Sequence, residues 1–438
     1  MSLLLIAFIT ILGILLGKYL FKKWSNHLTF YCIIMGGLVF LYQLKLLPYV
    51  NLIPLAWFFV IASFLSFLFG IITVVSARNL FPKIKIFFKE SNIDLPIFSD
   101  GGKALKYSIL FFSLIGLFVA LQRWWVLIHM FGSIQGVMIN AAIVYRLNVH
   151  REIKEFIPIL PSFVYIAVFL SGIYTAYKGK FSFLSFFPFI DIVLKELTYF
   201  GRGEILLSLM EFMFSFLLFR HLLSDDKSKR FKFSKKNAIV ASTVLMVFLI
   251  ATSSLIRVSR GNYENYVGAS KGLSSLKSNF IISPSIYLYL SSDIGVFSQY
   301  LKAGGEHPYF GENTFLIFYD FLSKIGVIKR PSDFQKGYFI PMWTNTGTYI
   351  RELHADFGPA GVFIGSYLIG LLLTWLWFKF FEGKNLIVFA FLVYLYLIIG
   401  FSFLVMVTRL TQWYISLFFI ILYLPLLEKA ASRKSIAV

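Results

Sequence analysis

The sequence predicts an all-α polytopic membrane protein with about eleven transmembrane helices, an interfacial helix and a large, partly helical extracytoplasmic loop. Of its 438 residues, 58% are hydrophobic and only 14% are charged, and the mean hydropathy is +0.78. Soluble domains contain about 45–50% apolar and about 25% charged residues. Apolar runs near the length of a membrane span recur along most of the chain. The composition therefore excludes an ordinary soluble enzyme.

Eleven apolar runs with few charges define the predicted spans, since a helix needs about 20 such residues to cross a bilayer. The first run has no basic residue before it and no small-residue cleavage site after it, so it is interpreted as a retained span rather than a signal peptide. The spans are predicted at about 2–17, 28–47, 53–75, 107–122, 126–145, 157–177, 203–222, 237–256, 357–378, 386–405 and 412–427.

The basic residues predict the orientation of the chain. It has 41 Lys and Arg against 21 Asp and Glu, a formal charge of +20. In a soluble protein this excess would suggest nucleic-acid binding, but in a membrane protein Lys and Arg collect in short cytoplasmic loops. With the N-terminus outside, each predicted inner segment carries two to seven of them, most clearly 227–236. We therefore predict an outer N-terminus, a cytoplasmic C-terminus and no nucleic-acid partner.

The predicted topology divides the chain into three parts. Residues 1–256 contain spans one to eight and an outer segment, 178–202, which is aromatic, is interrupted by Pro188 and is predicted to form an interfacial or re-entrant helix on the outer leaflet. Residues 257–355 form the extracytoplasmic cap, in which polar turns alternate with apolar stretches. Residues 356–438 contain the last three spans and a cytoplasmic tail.

Recognised cofactor and hydrolase signatures are missing from the sequence. It contains no motif that is typical of nucleotide-binding proteins, zinc hydrolases or serine hydrolases. The single cysteine, Cys32, excludes an intrachain disulfide and a cysteine metal cluster. Glu306, His307 and Glu312 have side chains that bind metals, but their spacing matches no recognised site. We therefore expect no cofactor and no metal.

Arg202 stands between two glycines at the predicted outer end of span seven. Gly201 and Gly203 permit a tight turn and close backbone approach, and an arginine there can hold a phosphate or carboxylate in bidentate fashion. The alternative is an interfacial arginine whose head group reaches the lipid boundary and pairs with Glu196 or Glu204. Both interpretations remain open from the sequence.

Four further arginines lie at predicted outer ends of spans. Arg257 and Arg260 follow span eight, where basic residues anchor to lipid phosphates or, alternatively, contact a substrate phosphate. Arg123 and Arg409 lie beside tryptophans, and anchoring in the aromatic belt is the default interpretation for both.

The densest polar cluster, 344–363, leads directly into span nine. On a helix, Arg351 and His354 would share a face because they are three positions apart. His354 is interpreted either as a hydrogen-bonded interfacial imidazole or as a general base, because an arginine and two carboxylates lie close by in the sequence. Asp356 is interpreted first as an N-cap or first-turn acid of span nine, and second as a base. Glu352 is the third candidate base.

The same cluster resembles a pattern of the oligosaccharide repeat-unit polymerases of the Wzy type, the membrane enzymes of O-antigen and capsule assembly. That pattern is N-x-x-T-x-x-R followed by D-F-G-x-x-G ahead of a long apolar helix. The glycines and arginine at 201–203 and the stretch 311–328 are also similar to family segments. His354 stands where that family is expected to have Tyr, so the resemblance supports Asp356 rather than His354 as a catalyst. The matching residues are Asn345, Thr348, Arg351, Asp356, Phe357, Gly358 and Gly361.

The resemblance implies an activity at the outer face of the bacterial cytoplasmic membrane. A glycan on undecaprenyl pyrophosphate would be transferred to the non-reducing-end sugar of a second lipid-linked repeat unit, and arginines would stabilise the leaving pyrophosphate without a metal. The expected partners are this lipid-linked oligosaccharide and membrane lipids, with a chain-length regulator protein as a further candidate. The candidate bases are His354, Asp356 and Glu352, and the candidate binding residues are Arg202, Arg351, Arg260, Arg257, Asn345 and Thr348.

Two other functions compete with this one. An O-antigen ligase would share the polyprenyl donor and a large outer loop but would transfer the glycan to the lipid A core. A flippase or other transporter usually has two related halves, whereas eight predicted spans precede the cap here and three follow it. The Asn-to-DFG pattern favours a polymerase over both.

Overall fold

The computed structural model describes residues 2–80, 95–150, 152–153, 157–201, 203–225, 270–275, 284–332, 335–340 and 342–436. Predicted span eight and the basic segment 227–236 lie outside the described residues, as do the candidate ligands Arg202, Arg257 and Arg260.

The described residues are mostly helical. A short antiparallel hairpin of β1 (Tyr338–Phe339) and β2 (Trp343–Thr344) is also present in the cap. The α-helices of the described residues are, in chain order, α1 (Leu3–Phe21), α2 (His27–Gln43), α3 (Pro54–Leu80), α4 (Lys103–Phe131), α5 (Ile134–Ile139), α6 (Ala141–Val149), α7 (Phe163–Lys178), α8 (Phe183–Tyr199), α9 (Gly203–Asp225), α10 (Lys271–Ser275), α11 (Pro284–Ser291), α12 (Asp293–Lys302), α13 (Leu316–Lys324), α14 (Tyr349–Gly383), α15 (Leu386–Gly400) and α16 (Thr411–Ile436).

Seven helices among the described residues are long and apolar enough to cross a membrane. They are α1, α3, α4, α7 with the turn that precedes it, α9, α14 and α16. Helices α2 and α15 are apolar but shorter, at 17 and 15 residues. The prediction of an all-α membrane protein is thus confirmed. The described part of the chain contains seven candidate spans, and the predicted count of eleven is not confirmed.

Predicted span five, 126–145, does not form one helix. Helix α4 continues through Arg123 to Phe131 and ends at Gly132, which has a φ of 81°. The rest of the run forms α5 and α6, of 6 and 9 residues, which are too short to cross a bilayer. Because the sides assigned to the later loops depended on this crossing, the orientation of the chain stays a prediction.

Helix α8 occupies the predicted outer segment 178–202 and runs through Pro188 without ending. It packs against α4, α7 and α9. Its charged residues Asp191, Lys195 and Glu196 are only 1–3% exposed. A helix on the surface of a leaflet keeps its charged face accessible. The structure therefore places α8 among other helices of the protein, and the predicted surface position is wrong.

The chain forms two compact units. Unit 1 comprises Met1–Ser91, Asn265–Ser278 and Ser283–Tyr414, and unit 2 comprises Asn92–Glu264, Asn279–Ile282 and Ile415–Val438. Helices α1 to α3, α14 and α15 therefore belong to the same unit as all described residues of the cap.

Glycines bring α3 and α14 into direct backbone contact within unit 1. A Cβ atom added at Gly70 would overlap the backbone oxygen of Tyr367, and one added at Gly370 would overlap the backbone oxygen of Phe67. Small residues allow helices in membranes to approach in this way. The contact fixes the position of α14, whose first turns carry the candidate site.

Candidate functional site

Helix α14 consists of two segments that meet at Gly358. This residue has φ 65° and ψ −157°, a conformation that is essentially restricted to glycine. Pro359 opens the second segment, where a missing backbone N–H is tolerated. The N-cap of the whole helix is Thr348. Asp356 therefore lies at the end of the first segment, and its predicted position as the N-cap of span nine is wrong.

The Asp356 carboxylate accepts four hydrogen bonds from two consecutive residues of the cap. Its Oδ1 accepts from the backbone N–H and the side-chain amide of Asn313, at 2.9 and 2.7 Å. Its Oδ2 accepts from the backbone N–H and the hydroxyl of Thr314, both at 2.7 Å. These hydrogen bonds satisfy the backbone N–H groups of Asn313 and Thr314 in the turn that precedes α13. Asp356 thus joins the cap to α14, which favours a structural role over that of a base.

Arg409 lies in a short 3-10 helix, Val407–Arg409, and is 8% exposed. Its guanidinium donates to the side-chain oxygen of Asn313, and to the backbone oxygen of Ser332 at 2.8 Å. The Thr408 hydroxyl donates to the backbone oxygen of Asn313 at 3.1 Å. The predicted aromatic-belt role of Arg409 is wrong, because the loop after α15 directs this side chain into the polar contacts of the cap.

Glu352 is the acid–base candidate with a free oxygen. It is 2% exposed, and its Oε2 lies 3.6 Å from Nη1 of Arg409. Its Oε1 is buried and has no hydrogen-bond partner among the described residues, and the same is true of the Thr348 hydroxyl and of Nε of Arg409. Most buried polar groups in proteins are hydrogen-bonded. The first turn of α14 and its surroundings therefore keep both acceptor and donor capacity for a ligand.

Arg351 is held by cap residues and is 1% exposed. Its Nη2 donates to Oε1 of Glu306 and to the backbone oxygen of Lys336, each at 2.7 Å. The Tyr338 hydroxyl donates to the same Glu306 oxygen at 2.9 Å, and the guanidinium carbon lies 5.3 Å from the centre of the Tyr338 ring. Arg351 therefore ties the cap hairpin to α14, and in this structure its fork is occupied by protein groups.

His354 is half-buried beside aromatic rings. Its Nδ1 lies 2.9 Å from the hydroxyl of Tyr300, and its ring meets Phe59 edge-on at a centroid distance of 5.0 Å. The ring of the same tyrosine lies 5.6 Å from the guanidinium carbon of Arg351. Arg351 and His354 thus share a helix face, as their spacing predicts. Burial raises the pKa of Tyr300 to about 12, so its hydroxyl stays protonated at neutral pH.

The remaining predicted ligands lie in the cap. Asn345 is half-buried between β2 and α14. Of the residues weighed as metal ligands, Glu306 pairs with Arg351, and Glu312 accepts from the backbone N–H of Tyr309 at 3.0 Å. Within the described ranges, no group of three His, Cys, Asp or Glu side chains is arranged to hold a metal ion.

Unit 2 contains a separate polar cluster. Arg123 is 1% exposed and donates to the Thr198 hydroxyl at 3.0 Å and to the side-chain oxygen of Asn148 at 2.6 Å. Its predicted aromatic-belt role is therefore wrong. Glu204, which the sequence offers as a partner of Arg202, forms a salt bridge of 2.7 Å with Lys195. Arg123 and Glu204 have these partners because α8 is buried and its polar residues lie against other helices.

Sequence reasoning missed two residues of the candidate site. Asn313 lies in a stretch that the resemblance singled out, but its bond to Asp356 was not foreseen. Arg409 interrupts apolar sequence, and a charged residue in such a position is costly unless it has a partner. The cost of burying this charge was therefore the sequence signal that Arg409 has a partner in the protein.

No protein-family model, curated protein or solved structure matches this chain. The inference of function therefore depends on the residues around the start of α14.

Proposed function

We propose that the protein is a membrane glycosyltransferase that polymerises oligosaccharide repeat units carried on undecaprenyl pyrophosphate. The proposed reaction takes place at the outer face of the bacterial cytoplasmic membrane. The observation that carries the proposal is the unpaired Oε1 of buried Glu352, beside Arg409. A carboxylate oxygen that is free to take a proton, next to a fixed positive charge, suits glycosyl transfer to a hydroxyl group.

In the proposed step, the acceptor hydroxyl oxygen attacks the anomeric carbon of the donor while Glu352 takes the hydroxyl proton. A new carbon–oxygen bond forms, the bond from the anomeric carbon to the pyrophosphate oxygen breaks, and its electron pair leaves with the pyrophosphate. Arginine suits the stabilisation of that leaving group because its planar fork binds phosphate oxygens in pairs. The sequence offers Arg202, Arg257 and Arg260 for this role, and all three lie outside the described residues.

The contacts around α14 change the roles that the sequence suggested for three residues. Glu352, which the sequence ranks behind His354 and Asp356, becomes the preferred base, because the other two side chains are engaged with cap residues. Arg351 becomes a positioning residue, since its partners belong to the cap. Glu352 is 2% exposed, so the acceptor reaches it only after part of the cap has moved.

The test uses purified protein, a synthetic undecaprenyl-pyrophosphate repeat unit and no added metal, and the product is separated on a gel. A ladder of oligosaccharides is expected. Glu352→Gln should lower the rate per folded molecule about 100- to 10,000-fold, the usual contribution of a general base. Glu382→Gln is the matched control, because Glu382 lies at the other end of α14 and pairs with Arg78.

Other results of the same test would contradict the proposal. A normal rate in Glu352→Gln would exclude this residue as the base. Transfer to the lipid A core, but not to a second repeat unit, would identify a ligase. Movement of the lipid-linked unit across a vesicle membrane with no covalent product would identify a transporter.

A further inference from the structure

Unit 1 contains an apolar cavity between α1, α2 and α3, separate from the polar site. Its volume is about 320 Å³, within the roughly 300–1,000 Å³ that is typical of small-molecule pockets. Tyr31, Cys32 and Met35 form its floor and are 2–4% exposed, whereas Ile61 and Leu65 form part of its rim and are 42% and 55% exposed. The cavity therefore opens through an exposed, apolar surface of membrane helices.

Glycines give this cavity its shape. A Cβ atom added at Gly13 would overlap Sγ of Cys32, and one added at Gly36 would overlap the hydroxyl oxygen of Thr10. Helices α1 and α2 therefore touch at their smallest residues, and larger side chains of α2 and α3 surround the space that remains. An apolar space of this kind offers water too few polar partners. In a bilayer, its natural occupant is a hydrocarbon chain.

Hydroxyl groups connect the floor of the cavity to the start of α14. The Tyr31 hydroxyl lies 3.0 Å from that of Tyr349 and 3.1 Å from that of Ser63, and the Ser63 hydroxyl lies 2.6 Å from that of Tyr349. Tyr349 is the first residue of α14 and directly follows the N-cap, Thr348. The side chains of Tyr31 and Tyr349 thus stand between the apolar cavity and the helix turn that carries Glu352.

We infer that this cavity holds the isoprenoid chain of a polyprenyl-phosphate lipid whose head group binds at the start of α14. The inference rests on the proposed function, which supplies the chemistry of the lipid. The observation that supports it is the hydrogen-bonded pair of Tyr31 and Tyr349, which links the cavity to the start of α14. A lipid with its head group at the polar site can place the nearest part of its chain in this cavity. For a bulk phospholipid, no head-group binding at the start of α14 favours this position of the acyl chain over the surrounding bilayer.

The experiment uses an undecaprenyl phosphate analogue with a photoreactive diazirine in the first isoprene units. The full-length protein is placed in phosphatidylglycerol vesicles with the analogue and irradiated, and the modified peptides are identified by mass spectrometry. Adducts are expected in 6–10, 31–39 and 60–65, the segments that line the cavity. Excess unlabelled undecaprenyl phosphate should remove them even though phosphatidylglycerol is always present.

A matched pair of variants tests the cavity itself. Ile61→Trp places a large ring at the rim and should lower the yield of these adducts about tenfold, which corresponds to about 1.4 kcal/mol of binding free energy. Leu55→Trp adds the same ring to the same helix at a residue that is 47% exposed and does not line the cavity. Its adduct yield should equal that of the unmodified protein.

The labelling result can fail independently of the proposed function. Two labelling results would overturn the inference, whatever the gel assay shows. In the first, adducts are spread over all exposed helices. In the second, adducts form in 6–10, 31–39 and 60–65, but extra phosphatidylglycerol removes them as well as undecaprenyl phosphate does. Specific labelling of these segments by a protein that makes no polymer would support the lipid site and contradict the polymerase. Unchanged labelling in Ile61→Trp would also overturn the inference, because the cavity would then not hold the chain.

Discussion

The guanidinium group of Arg409 and the carboxylate of Glu352 lie 3.6 Å apart, although they come from separate segments of the sequence. Both side chains are buried, at 8% and 2% exposure. A buried charge requires a partner, and the removal of one member of a buried pair typically costs about 3–5 kcal/mol. The pair therefore holds the loop before α16 against the first turn of α14.

Arg409→Ala is expected to lower stability by about 3–5 kcal/mol, because it leaves the Glu352 carboxylate buried without its partner. The double variant Arg409→Met with Glu352→Gln should recover part of this loss, since no charge is then left unpaired. Thermal unfolding of the purified protein in detergent measures both effects. A double variant that is less stable than Arg409→Ala would show that the pair does not act as a unit.

Asp356→Asn should weaken the contact between α14 and the cap while leaving the rate per folded molecule near normal. Hydrogen bonds to a charged group contribute about 1.5–3 kcal/mol each, and an amide cannot accept all four bonds that Asn313 and Thr314 donate. Unfolding midpoints and the gel assay measure the two effects separately. A fully stable but inactive Asn variant would instead assign Asp356 to the chemistry.

Arg351→Lys is expected to abolish most polymer formation. The guanidinium reaches Glu306 and the backbone oxygen of Lys336 together, whereas an ammonium group is a single point charge without the planar fork. Limited proteolysis should show faster cleavage in the cap of this variant. Arg78→Lys, which changes a pair at the other end of α14, serves as the control. Full-length polymer from Arg351→Lys would contradict the positioning role.

Asp293 is expected to make stability depend on pH. Burial raises the pKa of its carboxyl well above the ordinary value, and Thr346 and Arg351 oppose this effect in part. An unfolded chain loses this proton above about pH 3.9, whereas the folded chain retains it, so stability falls as pH rises toward the raised pKa. Asp293→Asn removes this dependence. The measured quantity is the unfolding temperature of the variant minus that of the unmodified protein. This difference should be larger at about pH 8 than at about pH 5, and equal differences at both pH values would contradict the prediction.

The predicted topology is tested with reporters fused to the chain. A reporter after Lys336 should be extracytoplasmic, because this residue lies in the predicted cap, and one after Lys236 should be cytoplasmic, because basic loops are retained inside. Alkaline phosphatase and a fluorescent protein that folds only in the cytoplasm distinguish the two sides. A cytoplasmic signal at Lys336 would contradict both the topology and the proposed function.

The sequence was sufficient for the fold class but not for every helix. Long apolar runs with few charges predict membrane helices because a bilayer leaves the backbone no other way to satisfy its hydrogen bonds. The prediction failed at Gly132, where apolar residues continue on both sides and only the positive φ of one glycine ends the helix. Hydropathy contains no information about such a turn.

The candidate site was predictable only where its residues are neighbours in sequence. The spacing of Arg351 and His354 predicted their common face, since helix periodicity is local. Arg409 and Asn313 reach the site from distant segments. The cost of burying a charge indicates that Arg409 has a partner, but no local pattern indicates which residue that partner is. The free oxygen of Glu352 follows from these distant contacts and was therefore missed.

The backbone contact at Gly70 and Gly370 limits how α14 can respond to a substrate. Two helices that touch without side chains between them cannot tilt toward each other, so the apolar segment of α14 moves together with α3. Gly358 separates this segment from the turn that carries Glu352, and glycine is the residue best able to change its dihedral angles at such a joint. Opening of the cap is therefore expected to pivot at Gly358, so that the proposed sugar substrate gains access while the packing of α3 against α14 is preserved.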